Sequence, residues 1–165
     1  MEGWTDFCVA QIGASAALAG LVFVGITINM DKILAMPPLP NRALGAILAL
    51  ATVLAQCSIL LAPHQSALRA GITILALALA FWLALATLQV RTYRATPHQY
   101  RYWHLIHIAV AQLAALSFIL AGSMTLAIGA GGLDWFLPGV LLCYAAALYK
   151  VSPAVLSPMS YFDSP

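Results

Sequence analysis

Long uncharged runs alternate along this chain with short breaks that carry charge or proline. Five apolar stretches stand out, at residues 7–30, 43–62, 70–90, 105–128 and 133–149. A helix needs roughly 20 apolar residues to cross the hydrocarbon of a bilayer. The first four stretches meet that length. The fifth is short and contains Pro138; it reads as a short span, with a re-entrant or interfacial helix as its alternative. The pattern predicts an all-α polytopic membrane bundle of five transmembrane helices, four plus a short fifth, over residues 1–150. Residues 151–165 form a proline-containing C-terminal tail with little helical character.

The breaks agree with this division. "DKILAMPPLPNR" holds three prolines and must leave the helix. "PHQSALR" reads as a tight turn with a helix start. "RTYRATPHQYRYWH" is the one strongly basic loop. "GAGG" ends the fourth helix with residues suited to positive φ.

Composition strengthens the membrane reading. The chain is 63% hydrophobic and 7% charged, where a soluble domain carries about 25% charged residues. So few charges cannot cover a surface facing water, and the lipid bilayer is the natural second phase. A net charge of +2, with no basic run, gives no reason to expect nucleic acid as a partner. The opening "MEGWTDF" is acidic where a cleaved leader is basic, so the first stretch is expected to be retained.

Charge also orients the chain. With five spans, Lys32, Arg42, Arg91, Arg94, Arg101 and Lys150 share one side, and Arg69 alone takes the other. Basic loops favour the cytoplasm. The N-terminus is therefore expected outside and the C-terminus in the cytoplasm. Trp4, Tyr100, Tyr102, Trp103, Trp135, Tyr149 and Tyr161 gather near span ends, as rings do at headgroup level.

The first span has an unusual distribution of size. At about 100° per residue, Ala10, Gly13, Ala16, Ala17, Gly20, Val24 and Thr27 share a face. Its core is a small-xxx-small stripe, which lets helix backbones approach closely in lipid. The opposite face carries Gln11, Ser15, Leu18, Val22 and Asn29. A helix with a small face and a polar-tipped face is expected to be the central, most contacted helix. The stripe, Ala10, Gly13, Ala16, Ala17 and Gly20, serves packing either within the chain or between chains.

"GASAALAGLVFVGITIN", "PLPNRA" and "GGLDWFLPGVLL", in that order, resemble a group of small uncharacterised bacterial integral membrane proteins. That group has a GASAAL-GL-FV first helix and a GGL-W-PG motif before the last. The resemblance implies a five-helix plasma-membrane protein and no particular activity. "KVSPAVLSPMSYFDSP" departs from the continued apolar helix of that group, which points to a specialised tail.

Candidate chemistry is sparse. No Asp, Glu, Lys or Arg lies in the middle of a span, where proton-coupled carriers place ionisable groups. Gln56, Gln89 and Gln112, with Ser58, Ser117, Ser123 and Thr125, could line a polar path or bond helices together. His104 and His107 are three apart and share a helix face. Either could ligate haem or a chlorophyll-type pigment, or simply meet headgroups. His98 lies in the preceding loop and His64 near the opposite surface. Cys8, Cys57 and Cys143 are widely spaced and read as buried small hydrophobes; no metal site is expected. There is no nucleophile elbow, P-loop or nucleotide fingerprint.

Three functions stay open on these residues. The first is a non-catalytic accessory or scaffold subunit of a larger membrane complex, respiratory or photosynthetic, with lipids and other subunits or copies of itself as partners. The second is a small homo-oligomeric channel or transporter. The third is a haem- or pigment-binding subunit.

Overall fold

The computed structural model describes residues 3–35, 39–63, 66–95 and 101–156. The elements are α1 (Trp4–Ile28), α2 (Met30–Ala35), α3 (Leu39–Leu60), α4 (Ala67–Ala95), α5 (Arg101–Ile128), a 3₁₀ segment (Gly129–Trp135) and α6 (Phe136–Leu156). No strand occurs among the described residues. Five helices are long and apolar enough to cross a membrane: α1, α3, α4, α5 and the segment Gly131–Tyr149.

Helix boundaries follow local chemistry. Pro40 and Pro138 each sit in the first turn of a helix, where no intrahelical N–H bond is lost. Ser66 caps α4, its Oγ accepting from the Arg69 N–H at 3.3 Å. Asn29 ends α1 by donating its Nδ2 to the Gly25 carbonyl at 3.0 Å. α5 stops at Gly129, whose φ of +76° is disfavoured for other residues. The 3₁₀ segment then folds back so tightly that a Cβ at Gly132 would collide with the backbone of Met124 and Thr125.

α3, α4, α5 and α6 form a ring in which α3 meets α4 and α6, and α5 meets α4 and α6. Phe118 of α5 is fully buried and stands between Phe81 of α4 (centroids 6.5 Å) and Phe136 of α6 (5.2 Å). Glycines bring the helices close. A Cβ on Gly122 would lie 2.8 Å from the backbone nitrogen of Leu75, joining α5 to α4. On Gly139 it would lie 2.8 Å from the Phe118 ring, joining α6 to α5.

α1 lies outside this ring, packed on α3. Only 17% of its apolar window is buried, against 28% to 44% in the other four. The expected central position of α1 is thus not found; α3 and α5 hold the middle. The cause is the closer fit available elsewhere, since isolated glycines at the α4–α5 and α5–α6 contacts permit backbone approach.

The tail also differs from expectation. α6 runs through Pro153 to Leu156, so residues 151–156 continue the helix. Residues 157–165 lie outside the described residues.

Candidate functional site

The rotation of α1 is set by its polar face. Cys8, Ser15 and Val22 recur at intervals of seven, close to two helical turns, and are its three buried residues. Ser15 is fully buried. The Tyr144 hydroxyl of α6 donates to Gln11 Oε1 at 2.7 Å and lies 3.2 Å from the Gln11 carbonyl. Its single proton is then engaged, so at 2.9 Å it accepts from Ser15 Oγ. Ser15 therefore bonds across helices rather than back onto its own. In hydrocarbon, where water cannot replace a lost partner, this three-residue lock fixes which face of α1 turns inward.

The stripe points the other way. Taking Ser15 as zero, Ala16, Gly20, Gly13, Ala17 and Ala10 fall between about 100° and 220° at 100° per residue. All five are exposed. A Cβ added at Gly13 or Gly20 would meet nothing within 4 Å. The stripe therefore packs against no other part of the described chain. Its smooth, small-residue surface is open to lipid or to another helix.

Gln89 and Gln112 have a structural use. Gln112 Nε2 donates to Gln89 Oε1 at 2.7 Å, and Trp82 Nε1 donates to Gln112 Oε1 at 2.8 Å. This chain of bonds ties α4 to α5. Ser117, Ser123 and Thr125 donate to carbonyls of their own helix. Gln56 stands apart. It is fully buried, yet neither its Nε2 nor its Oε1 has a hydrogen-bond partner. The three glutamines are not joined in one network.

His104 and His107 fall in the first turns of α5, but their side chains lie outside the described residues, as do His64 and His98. Cys8, Cys57 and Cys143 are buried, and none is in a disulfide. No group of three His, Cys, Asp or Glu side chains that could hold a metal occurs among the described residues. Trp135 and Tyr149, at the two ends of the fifth span, are exposed at 50% and 47%. Trp4 packs edge-on to Phe7 at 5.5 Å.

Two features escaped the sequence pattern. The Tyr144 lock joins residues more than 120 positions apart, and Tyr144 lies in mid-span, away from the headgroup-level aromatics. The contact glycines Gly71, where a Cβ would lie 2.8 Å from Leu126 Cγ, Gly122 and Gly139 occur singly, without the spacing that marks a stripe.

The arrangement is that of a multi-pass helical membrane protein with one side helix presented outward. Comparison with family models, curated proteins and solved structures returned no match to the chain.

Proposed function

We propose that this chain is a non-catalytic subunit of a larger membrane complex, docking onto another membrane protein through the small-residue face of α1. The observation that supports this most is the outward position of Ala10, Gly13, Ala16, Ala17 and Gly20 on a helix whose rotation Tyr144 locks. Association in lipid gains nothing from removing apolar surface from water. It relies on close backbone approach, which this face alone among the surfaces of α1 provides. The ring α3–α6 has its own glycine contacts and does not need the stripe for folding.

The reading places the N-terminus outside and the C-terminus in the cytoplasm, following the distribution of Lys and Arg, and takes the membrane to be a bacterial inner membrane, following the resemblance. It is in keeping with the resemblance to small bacterial membrane proteins. Purification from native membranes in a mild detergent tests it. The chain is expected to migrate with a larger membrane protein; migration as a lone monomer would overturn the reading.

A further inference from the structure

One end of the bundle is basic and the other is not. Antiparallel packing gathers the end of α1, all of α2, the start of α3, the end of α4, the start of α5 and the end of α6. Among the described residues, that end carries Lys32, Arg42, Arg91, Arg94, Arg101 and Lys150 against one carboxylate, Asp31. The opposite end carries Arg69 with Asp6 and Asp134. At the basic end α1, α3 and α6 converge, because Val22, Ala46 and Ala147 share one core cluster with Ile26 packed on it. Arg42 precedes Ala46 by about one helical turn and Lys150 follows Ala147 by nearly one. Both residues therefore continue from this cluster toward the same surface. The short helix α2, packed on α1 and α3, brings Lys32 to the same corner. Arg42 differs from its fellows in depth. It lies inside the span Pro40–Leu60 and is half-buried, whereas Arg69 and Arg91 are exposed. No salt bridge holds it among the described residues, and Asp31 is exposed on α2.

We infer that Arg42 binds the phosphate of an anionic phospholipid at the corner formed by α2, α3 and α6. A guanidinium keeps its charge at any ordinary pH and presents a fork of donors that matches two phosphate oxygens. Partial burial withdraws water from it, so an anion gains more there than beside a fully exposed arginine. Depth selects a lipid over a soluble anion. Arg42 stands in the first turns of a spanning helix, at the level of the headgroups. Beside it, Ile33 at 6% exposure holds α2 to the body, while Met30 and Leu34 are left 53% and 65% exposed. Acyl chains cover such a surface; a free phosphate has no use for it. Charge selects an anionic lipid over a zwitterionic one. A zwitterionic headgroup brings its own cation into a corner already supplied with Lys32 and Lys150, and an anionic headgroup does not. The site is complete within one chain, so it stands or falls apart from docking through the α1 stripe.

The test titrates the full chain in dodecylmaltoside micelles with dioleoyl phosphatidylglycerol or dioleoyl phosphatidylcholine, and native mass spectrometry counts the bound lipids. The wild type should bind its first phosphatidylglycerol more tightly than phosphatidylcholine, by a margin that shrinks as ammonium acetate is raised. Arg42→Gln should lose about fivefold in phosphatidylglycerol affinity, the effect of one basic residue at an anionic surface, with little change for phosphatidylcholine. Arg69→Gln, at the other end, should keep the wild-type preference. Arg42→Lys keeps the charge without the fork and should fall between wild type and Arg42→Gln, which preserves the comparison where the Gln variant does not fold. Inorganic phosphate in excess should leave the phosphatidylglycerol bound. Equal affinity of the wild type for the two lipids would overturn the proposal. So would full preference in Arg42→Gln, equal losses in Arg42→Gln and Arg69→Gln, or wild-type affinity in Arg42→Lys. Displacement of the lipid by inorganic phosphate would mark a soluble-anion site and overturn it too.

Discussion

Replacing Gly122 by alanine should destabilise the chain, while the same change at Gly20 should not. A Cβ at Gly122 would stand 2.8 Å from the Leu75 nitrogen and 2.9 Å from its Cα. Ordinary contact begins near 3.4 Å, and the obstructing atoms are backbone, so no rotamer change relieves them. α4 and α5 must part along their shared face, loosening the contacts of neighbouring side chains. Overpacking of this kind costs about 1–3 kcal/mol. At Gly20 the added methyl meets nothing within 4 Å. Glycine to alanine in a helix interior itself gains about 0.5–1 kcal/mol, and this term is common to both variants. Their difference therefore isolates packing: about 1–3 kcal/mol, or roughly 5- to 150-fold in the folding equilibrium. The assay is reversible unfolding in mixed micelles with a rising fraction of denaturing detergent, followed by circular dichroism. Equal stabilities for Gly122→Ala and Gly20→Ala would refute the packing order described here.

Two other substitutions probe the polar groups. Gln56→Leu should leave stability unchanged or raise it by about 1–3 kcal/mol, because it removes an amide buried without partners; a clear loss in the same unfolding assay would mean that the amide is satisfied by a water or ligand. Tyr144→Phe should cost about 0.6–1.7 kcal/mol, the range of hydrogen bonds between membrane helices. A double-mutant cycle with Ser15→Ala should show coupling, and strict additivity would mean that the lock contributes nothing.

The number and order of spans were legible in the sequence because charge and proline are expensive inside a bilayer. The boundaries moved where that rule is softest. α3 begins at Leu39 and admits Pro40 and Arg42, since proline fits a first turn and an arginine near a helix end can reach the interface. α6 continues past Pro153, where a proline-rich stretch was expected to end the helix. The two faces of α1 were also legible from periodicity. Which face turns inward was not, because a membrane supplies no apolar gradient to choose between small and bulky residues. The choice was made by Ser15 and Gln11, through a tyrosine distant in sequence.

The central claim is that the stripe on α1 holds a partner and not the chain's own fold. Gly20→Leu measures this most directly, compared with wild type by native purification in mild detergent and by unfolding of the isolated chain. The account predicts a wild-type chain that migrates with a larger membrane protein. It predicts a Gly20→Leu chain that unfolds like wild type but has lost that association by roughly 5- to 150-fold, the factor set by about 1–3 kcal/mol of overpacking. A Gly20→Leu chain that keeps its full association, or one that loses stability on its own, would contradict it.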